Sequence, residues 1–205
     1  MFVLSVISDV VKIHPSDFWK PTKEALSDEI NKKYANKVIQ QVGLAIAIFD
    51  FLTIGEGIIK FGDGCSYMNV KFRLLVFRPF RGEVMLGRIK SCTELGIRVT
   101  LGFFDDIFVP KEMLPDPSVY NAQERAWVWR VPSEETDGEP SELFMDVGEE
   151  IRFQIESEHF IDISPSRPSA NSAAATTDVR TEAEAPYSLV ASCSKDGLGI
   201  PAWWN

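Results

Sequence analysis

From Gly82 to Cys193 the apolar residues of this chain recur at a period close to two. That spacing puts alternate side chains on one face of a pleated strand, and a helix cannot use it. The segments "EVMLGRIKSC", "GIRVTLG", "DIFVP", "AWVWRV", "LFMD", "EEIRFQIES" and "YSLVASC" each carry it, with turn residues between them. So many short strands with little helix predict a small barrel. The alternation is clearest upstream, in "SYMNVKFRLLVFRPF". There Met68, Val70, Phe72, Leu74 and Val76 face one way and Asn69, Lys71 and Arg73 the other. This reads as a half-buried antiparallel strand.

The first 80 residues break the pattern once. "HPSDFWKPTKEALSDEINKKYANKV" predicts a helical turn at Ser16 and a helix from about Thr22, with Pro21 at its start. Leu26, Ile30 and Tyr34 form its apolar stripe, and Lys32, Lys33 and Lys37 suit the negative end of the helix dipole. Before it, "MFVLSVISDVVKIHP" has no basic leader or small-residue cleavage site, and its apolar positions continue to Ile13, so a strand is expected rather than a signal peptide. After it, Val42 to Phe49 is apolar or small on both faces, as in a central strand covered on both sides. Gly55, Gly57, Gly62 and Gly64 then punctuate a hairpin with an exposed tip, which lacks the GK[ST] ending of a phosphate loop.

The order strand, helix, strand, strand, strand is a small α+β unit, one helix on an antiparallel sheet. The expected division is therefore residues 1–80, an α+β domain, and residues 81–205, an all-β barrel with long loop insertions. Two polar stretches interrupt the barrel, Pro132 to Glu142 and the Ser/Ala/Thr/Pro-rich Ser164 to Pro186. The second, residues 164–186, is expected to be a mobile loop, because it has too little apolar surface to order itself.

Several function classes lack material. Hydrophobic residues make up 45% and no apolar run approaches the roughly 20 residues that span a bilayer. Cys65, Cys92 and Cys193 are odd in number and form no CxxC, which disfavours a zinc site or a disulfide framework. His14 and His159 are too few for a metal centre or a triad. The net charge of -9 is uneven: residues 1–80 carry ten Lys/Arg against eight Asp/Glu, whereas residues 81–205 carry eleven against twenty-two. Bulk attraction to a polyanion is thereby excluded, and nucleic-acid binding would rest on a local patch or a larger assembly.

The stretch "GIRVTLGFFDDIFVP" sets two aromatics against two aspartates at a strand end. With Ile97, Val99 and Leu101 pointing inward, one of Phe103 and Phe104 closes the core, and Asp105 and Asp106 occupy a turn where aspartates bond nearby backbone N–H groups. Adjacent turn carboxylates seldom have the unequal environments that acid–base catalysis needs. Trp127 and Trp129, two apart on one strand face, read as a cover for the barrel or a partner surface, with an RNA platform as the alternative; Trp203 and Trp204 read as packing anchors.

The tract "GEVMLGRIKSCTELGIRVTLGFFDDIFVPKEML" has the cadence of the OB-fold RNA-binding domain repeated in the large ribosomal small-subunit protein. Behind the α+β unit, with "ANKVIQQVGLAIAIFD", "VKFRLLVFRPF", "DVGEEIRFQI" and "GLGIPAWW", nearly the whole chain resembles a polymerase stalk family. That family includes the seventh subunit of RNA polymerase II, its counterpart in archaeal RNA polymerase and the stalk subunit of RNA polymerase III. "LGFFDDI" and "GLG...WW" point to the polymerase III branch.

The resemblance implies an RNP-like tip domain that docks on the polymerase core, an OB domain projecting outward, and a smaller helical partner subunit clasping both as a heterodimer. It further implies a nuclear, non-catalytic role in initiation at tRNA-type genes, weak contact with single-stranded nascent RNA, and no cofactor, metal or membrane. Gly55, Gly57, Gly62, Asp63 and Gly64 stand in the family's docking loop. Where the generic RNA-binding pattern has aromatics and a histidine, this chain has Leu95, Ile97 and Pro110. Its candidate RNA contacts are Phe103 or Phe104 for stacking and Arg88, Lys90, Arg98 and Lys111 for phosphate. The alternative is a free-standing OB-fold RNA-binding factor in translation or RNA decay.

Overall fold

A computed structural model of the chain describes residues 1–131, 141–162 and 185–204. The expected mobile loop lies outside these residues except for its last two positions. The chain forms two compact units, Met1–Pro79 and Phe80–Asn205.

The first unit runs β1 (Phe2–Ile13), α1 (Thr22–Tyr34), β2 (Lys37–Ile39), β3 (Gly43–Ile59) and β4 (Ser66–Phe77). Its sheet is antiparallel in the order β1-β4-β3-β2. Leu26 and Ile30 of α1 are fully buried against Val70, Phe72, Leu74 and Val76, the alternate residues of β4. The lysines late in α1 have local partners: Lys32 pairs with Glu29 at 2.6 Å and Lys33 with Asp9 at 2.5 Å. The Tyr34 hydroxyl donates to the same Asp9 carboxylate at 2.8 Å, tying the helix end to β1.

β3 differs from its sequence reading. It is 17 residues long, and its pairing with the three-residue β2 covers its beginning alone. Phe49 is 58% exposed, so this part of the strand is covered on one face and not on both. Gly55 and Gly57 lie inside β3 and not in the turn. Each marks a tight approach, since a Cβ on Gly55 would meet the Asn69 carbonyl oxygen at 2.9 Å and one on Gly57 the Ser66 Oγ at 2.7 Å. The turn itself uses Gly62 and Gly64, with φ of +86° and +69°.

The second unit begins with β5 (Val84–Thr93), β6 (Gly96–Thr100) and β7 (Ile107–Pro110). Next come β8 (Ser118–Asn121), β9 (Ala126–Val131) and β10 (Ser141–Met145), and then β11 (Glu150–Phe160) and β12 (Tyr187–Ser192). Five of these strands close into a barrel in the order β11-β12-β7-β6-β5, with β5 pairing back onto β11. The β12–β7 pair is parallel and the other barrel pairs are antiparallel. Met85, Ile89, Ile97, Val99, Ile107, Val109, Ile151, Phe153, Ile155 and Leu189 fill the interior, following the period of two. Gly87 takes an inward position in β5 where a Cβ would strike Val99 Cγ1 at 2.8 Å and the Thr100 carbonyl oxygen at 2.9 Å.

The segments "AWVWRV" and "LFMD" leave the barrel. As β9 and β10 they join β8 in a separate three-stranded sheet of order β10-β9-β8. Trp127 covers the barrel, buried and donating its indole N–H to the Thr93 carbonyl at 3.0 Å. Trp129 packs against Trp203 and Trp204, with ring centroids 5.3 and 6.4 Å away. A 3-10 turn at Pro201–Trp204 carries that pair. The segment before it is fastened to β11 by reciprocal backbone hydrogen bonds between Arg152 and Gly199, at 2.7 and 2.8 Å.

Candidate functional site

The barrel candidates divide into three groups. Phe104 is buried, 6% exposed, with its ring 5.6 Å from that of Tyr187, which in turn stacks on Phe160 at 4.5 Å. Phe104 is thus the aromatic that closes the core, and its assignment as an RNA-stacking residue is corrected: no base can reach a ring packed inside the barrel wall. Phe103 beside it is 46% exposed. The Leu101 N–H donates to the Phe104 carbonyl at 2.9 Å and closes the loop that carries both rings.

Arg88 and Lys90 form the second group, alternating outward along β5. Arg88 lies 3.5 Å from Glu150, and the Lys90 ammonium donates to Asp105 at 2.7 Å. Asp105 also accepts from the Thr100 hydroxyl, whose oxygen takes the Gly102 N–H at 2.9 Å. The aspartate therefore braces the loop through side chains, not through the backbone N–H bonds expected of a turn aspartate. Lys90 first, and then Thr100, hold the Asp105 carboxyl below its ordinary range. Burial, reinforced by the neighbouring Asp105 charge, pushes Asp106 upward. Beside this loop an open groove of about 370 Å³ is lined by Leu86, Arg88, Thr100, Leu101, Gly102 and Glu150.

Arg98 and Lys111 make the third group. Arg98 pairs across to Phe108 of β7. The Lys111 N–H donates to the Leu95 carbonyl at 3.0 Å, placing it at the far end of β6 from Phe103. Lys111 is exposed, and among the described residues it makes no ion pair. Arg88, Lys90 and Arg98 therefore line the outer wall of β5 and β6, and Lys111 stands in the 3-10 turn after β7, instead of all four converging on one pocket.

In the other unit, Gly62, Asp63 and Gly64 share the β3–β4 turn. Asp63 is occupied there: it accepts from the Tyr67 hydroxyl and pairs with Lys12 at 3.1 Å. Tyr67 above all, then Cys65 and Lys12, hold its carboxyl far below the usual carboxylate range. The Cys65 thiol lies 3.7 Å from His14 Nδ1, a second tie between turn and β1. The end of β3 and the turn also present large apolar side chains outward. Ile58, Ile59 and Phe61 are exposed, Phe61 completely, and sequence reasoning centred on the glycines missed them. The signal was present, since "IIKF" sets three large apolar residues among the glycines from Gly55 to Gly64. Among the described residues no three His, Cys, Asp or Glu side chains gather into a metal-holding group.

A two-unit chain with an α+β unit before a five-stranded barrel can be compared with known families. The model of RNA polymerase III subunit Rpc25 matches residues 83–204, and that of the SHS2 domain found in the N terminus of Rpb7p and Rpc25p matches residues 8–64. The chain belongs to the RNA polymerase III subunit Rpc25 family. Within it, the chain is 67% identical to DNA-directed RNA polymerase III subunit rpc8 of Schizosaccharomyces pombe, over the full length of both. It is 43% identical to RPC8 of Bos taurus over all of this chain and 99% of that one. Similarity extends outside polymerase III: RNA polymerase II subunit RPB7 of Saccharomyces cerevisiae is 32% identical over 60% of this chain and 72% of its own. The Rpc25 family thus accounts for both units in one protein, and not for the barrel alone.

Proposed function

We propose that this chain is the stalk subunit of a nuclear RNA polymerase III, performs no bond chemistry, and acts in initiation at tRNA-type genes. The observation that carries this reading is the 67% identity to a named polymerase III subunit across all 205 residues. In this reading Gly55, Gly57, Gly62, Asp63 and Gly64 shape the hairpin that docks on the polymerase core. The glycines set its backbone and Asp63 locks it, while Ile58, Ile59 and Phe61 supply the apolar contact. A smaller helical subunit completes a heterodimer, with residues 1–80 and 81–205 as the two domains of this chain. Arg88, Lys90, Arg98, Lys111 and Phe103 contact nascent single-stranded RNA weakly, since the acidic remainder of the barrel unit opposes long-range attraction.

The test is transcription by polymerase III from cells in which this chain has been depleted. Promoter-directed synthesis on a tRNA-type gene is expected to fall, and elongation on a promoterless tailed template to persist. Loss of both activities would place the chain in the catalytic machinery. Loss of neither, with tight RNA binding by the isolated chain, would favour the free-standing RNA-binding factor.

A further inference from the structure

One row of side chains crosses three strands on the outer wall of the barrel. Glu150 of β11 pairs with Arg88 of β5, and Arg88 pairs in turn with Thr100 of β6. The row borders the open groove of about 370 Å³, which Leu86, Leu101 and Gly102 also line. Small-ligand sites span about 300–1,000 Å³, so one planar group fits. Leu86 is 56% exposed and gives the groove an apolar surface. Gly102 leaves it open, since a Cβ there would meet nothing within 4 Å. A ligand with a flat apolar face suits such a surface.

The polar groups of the row are not equally open to that ligand. The Thr100 hydroxyl is engaged twice, donating to Asp105 and accepting from the Gly102 N–H at 2.9 Å. Arg88 and Glu150 face each other at 3.5 Å, longer than an ordinary N–H···O bond, and their side chains are 67% and 63% exposed. An exposed pair so loosely made contributes little to stability, so a ligand that engages both groups gives up little. A phosphate does not suit this spot, because the Glu150 carboxylate beside Arg88 repels it. What the pair offers is a donor next to two acceptors, a guanidinium N–H and then two carboxylate oxygens. The complementary edge reads acceptor, donor, donor. Among the four RNA bases guanine alone presents it, as O6, N1–H and the 2-amino group. Adenine and cytosine each set one amino donor beside a ring acceptor. Uracil places its one donor between two carbonyl oxygens, which the carboxylate repels.

We propose that this groove is a guanine-selective subsite for single-stranded RNA, with Glu150 accepting from N1–H and the 2-amino group and Arg88 donating to O6. It rests on the reading that the barrel wall contacts nascent RNA, and it gives Arg88 a base edge instead of a phosphate.

Fluorescence anisotropy of the full chain tests it, at one fixed salt concentration, with labelled oligouridines that carry a single central G, inosine, A or C, or remain all U. The G oligonucleotide should bind about tenfold more tightly than the A, C and U ones, the discrimination given by one bidentate base contact. Inosine, which keeps O6 and N1–H and lacks the 2-amino group, should fall between them. Glu150→Gln should abolish the preference for G and leave the unfolding midpoint in place. Equal binding of all five by the unaltered chain, or a preference for another base, overturns the proposal and leaves RNA contact standing. So does a preference for G that survives in Glu150→Gln, even where the lost charge tightens all five together. A chain that binds none of the five overturns the reading of RNA contact, and this proposal with it.

Discussion

Replacing Phe104 or Phe103 by alanine separates the buried ring from the exposed one, and with it packing from the RNA contact proposed for Phe103. Phe104 is 6% exposed and packed on Tyr187. Burying a phenylalanine removes about 150–250 Å² from water, or about 4–6 kcal/mol at ~25 cal/mol per Å². Alanine keeps the Cβ, and a denatured chain that is already compact reduces the true area by roughly 10–40%. The expected loss for Phe104→Ala is therefore about 3 kcal/mol, at the lower end of core Phe→Ala substitutions. That corresponds to a fall of about 10 °C in the unfolding midpoint of the barrel unit. Phe103, at 46% exposure, should cost about 1 kcal/mol or less in stability. It should instead lower affinity for single-stranded RNA by roughly tenfold, the value of about one stacked base. Thermal unfolding followed by tryptophan fluorescence suits the assay, since Trp127, Trp129, Trp203 and Trp204 all belong to the barrel unit. A Phe104→Ala protein with an unchanged midpoint, or two variants with equal midpoints, would refute the placement of these rings.

Gly96 has φ of +150°, and an added Cβ would sit 2.1 Å from the Val109 carbonyl oxygen, where two backbones meet and neither can yield. Gly96→Ala should therefore cost about 3 kcal/mol or more, against about 1–2 for Gly102→Ala, which has φ of +87° and open space, as urea titration would show. Asp63, held far below its ordinary range by Tyr67 above all, should stabilise the first unit above pH ~4 and lose that effect as the pH falls toward its native value. Asp63→Asn should then flatten the acid dependence of the unfolding midpoint between about pH 5 and 2, and an unaltered slope would count against the Tyr67–Asp63–Lys12 tie. Burial pushes the Cys92 thiol up to about 11 and the Cys193 thiol up to about 12. All three cysteines are buried and should resist iodoacetamide at pH 8 until urea is added, a result read by mass spectrometry.

Much of the fold was legible because burial in single elements is a local pattern. The alternate residues from Val70 to Val76 and the stripe of Leu26 and Ile30 announce which face each element hides. The same pattern does not say which neighbour a strand chooses. "AWVWRV" alternates equally well in a barrel or in the separate sheet where it is found, because that decision rests on contacts distant in sequence. Nor does it show bulges, each of which exchanges the faces of the residues beyond it. The four register shifts of β3 left Phe49 exposed and put Gly55 and Gly57 inside a strand. In the candidate site, Arg88 and Lys90 are exposed at alternate positions of β5. The partners of those cations, Glu150 62 residues from Arg88 and Asp105 15 residues from Lys90, needed the closed barrel to become visible.

The central claim is that both units serve as an adaptor within polymerase III. Sedimentation of a nuclear extract containing the tagged full chain tests it most directly, with co-migration and polymerase activity read in every fraction. The chain should travel with polymerase III activity, and its purified form should synthesise no RNA by itself. A chain that sediments wholly apart from the polymerase, or that alone turns over a substrate, would contradict it.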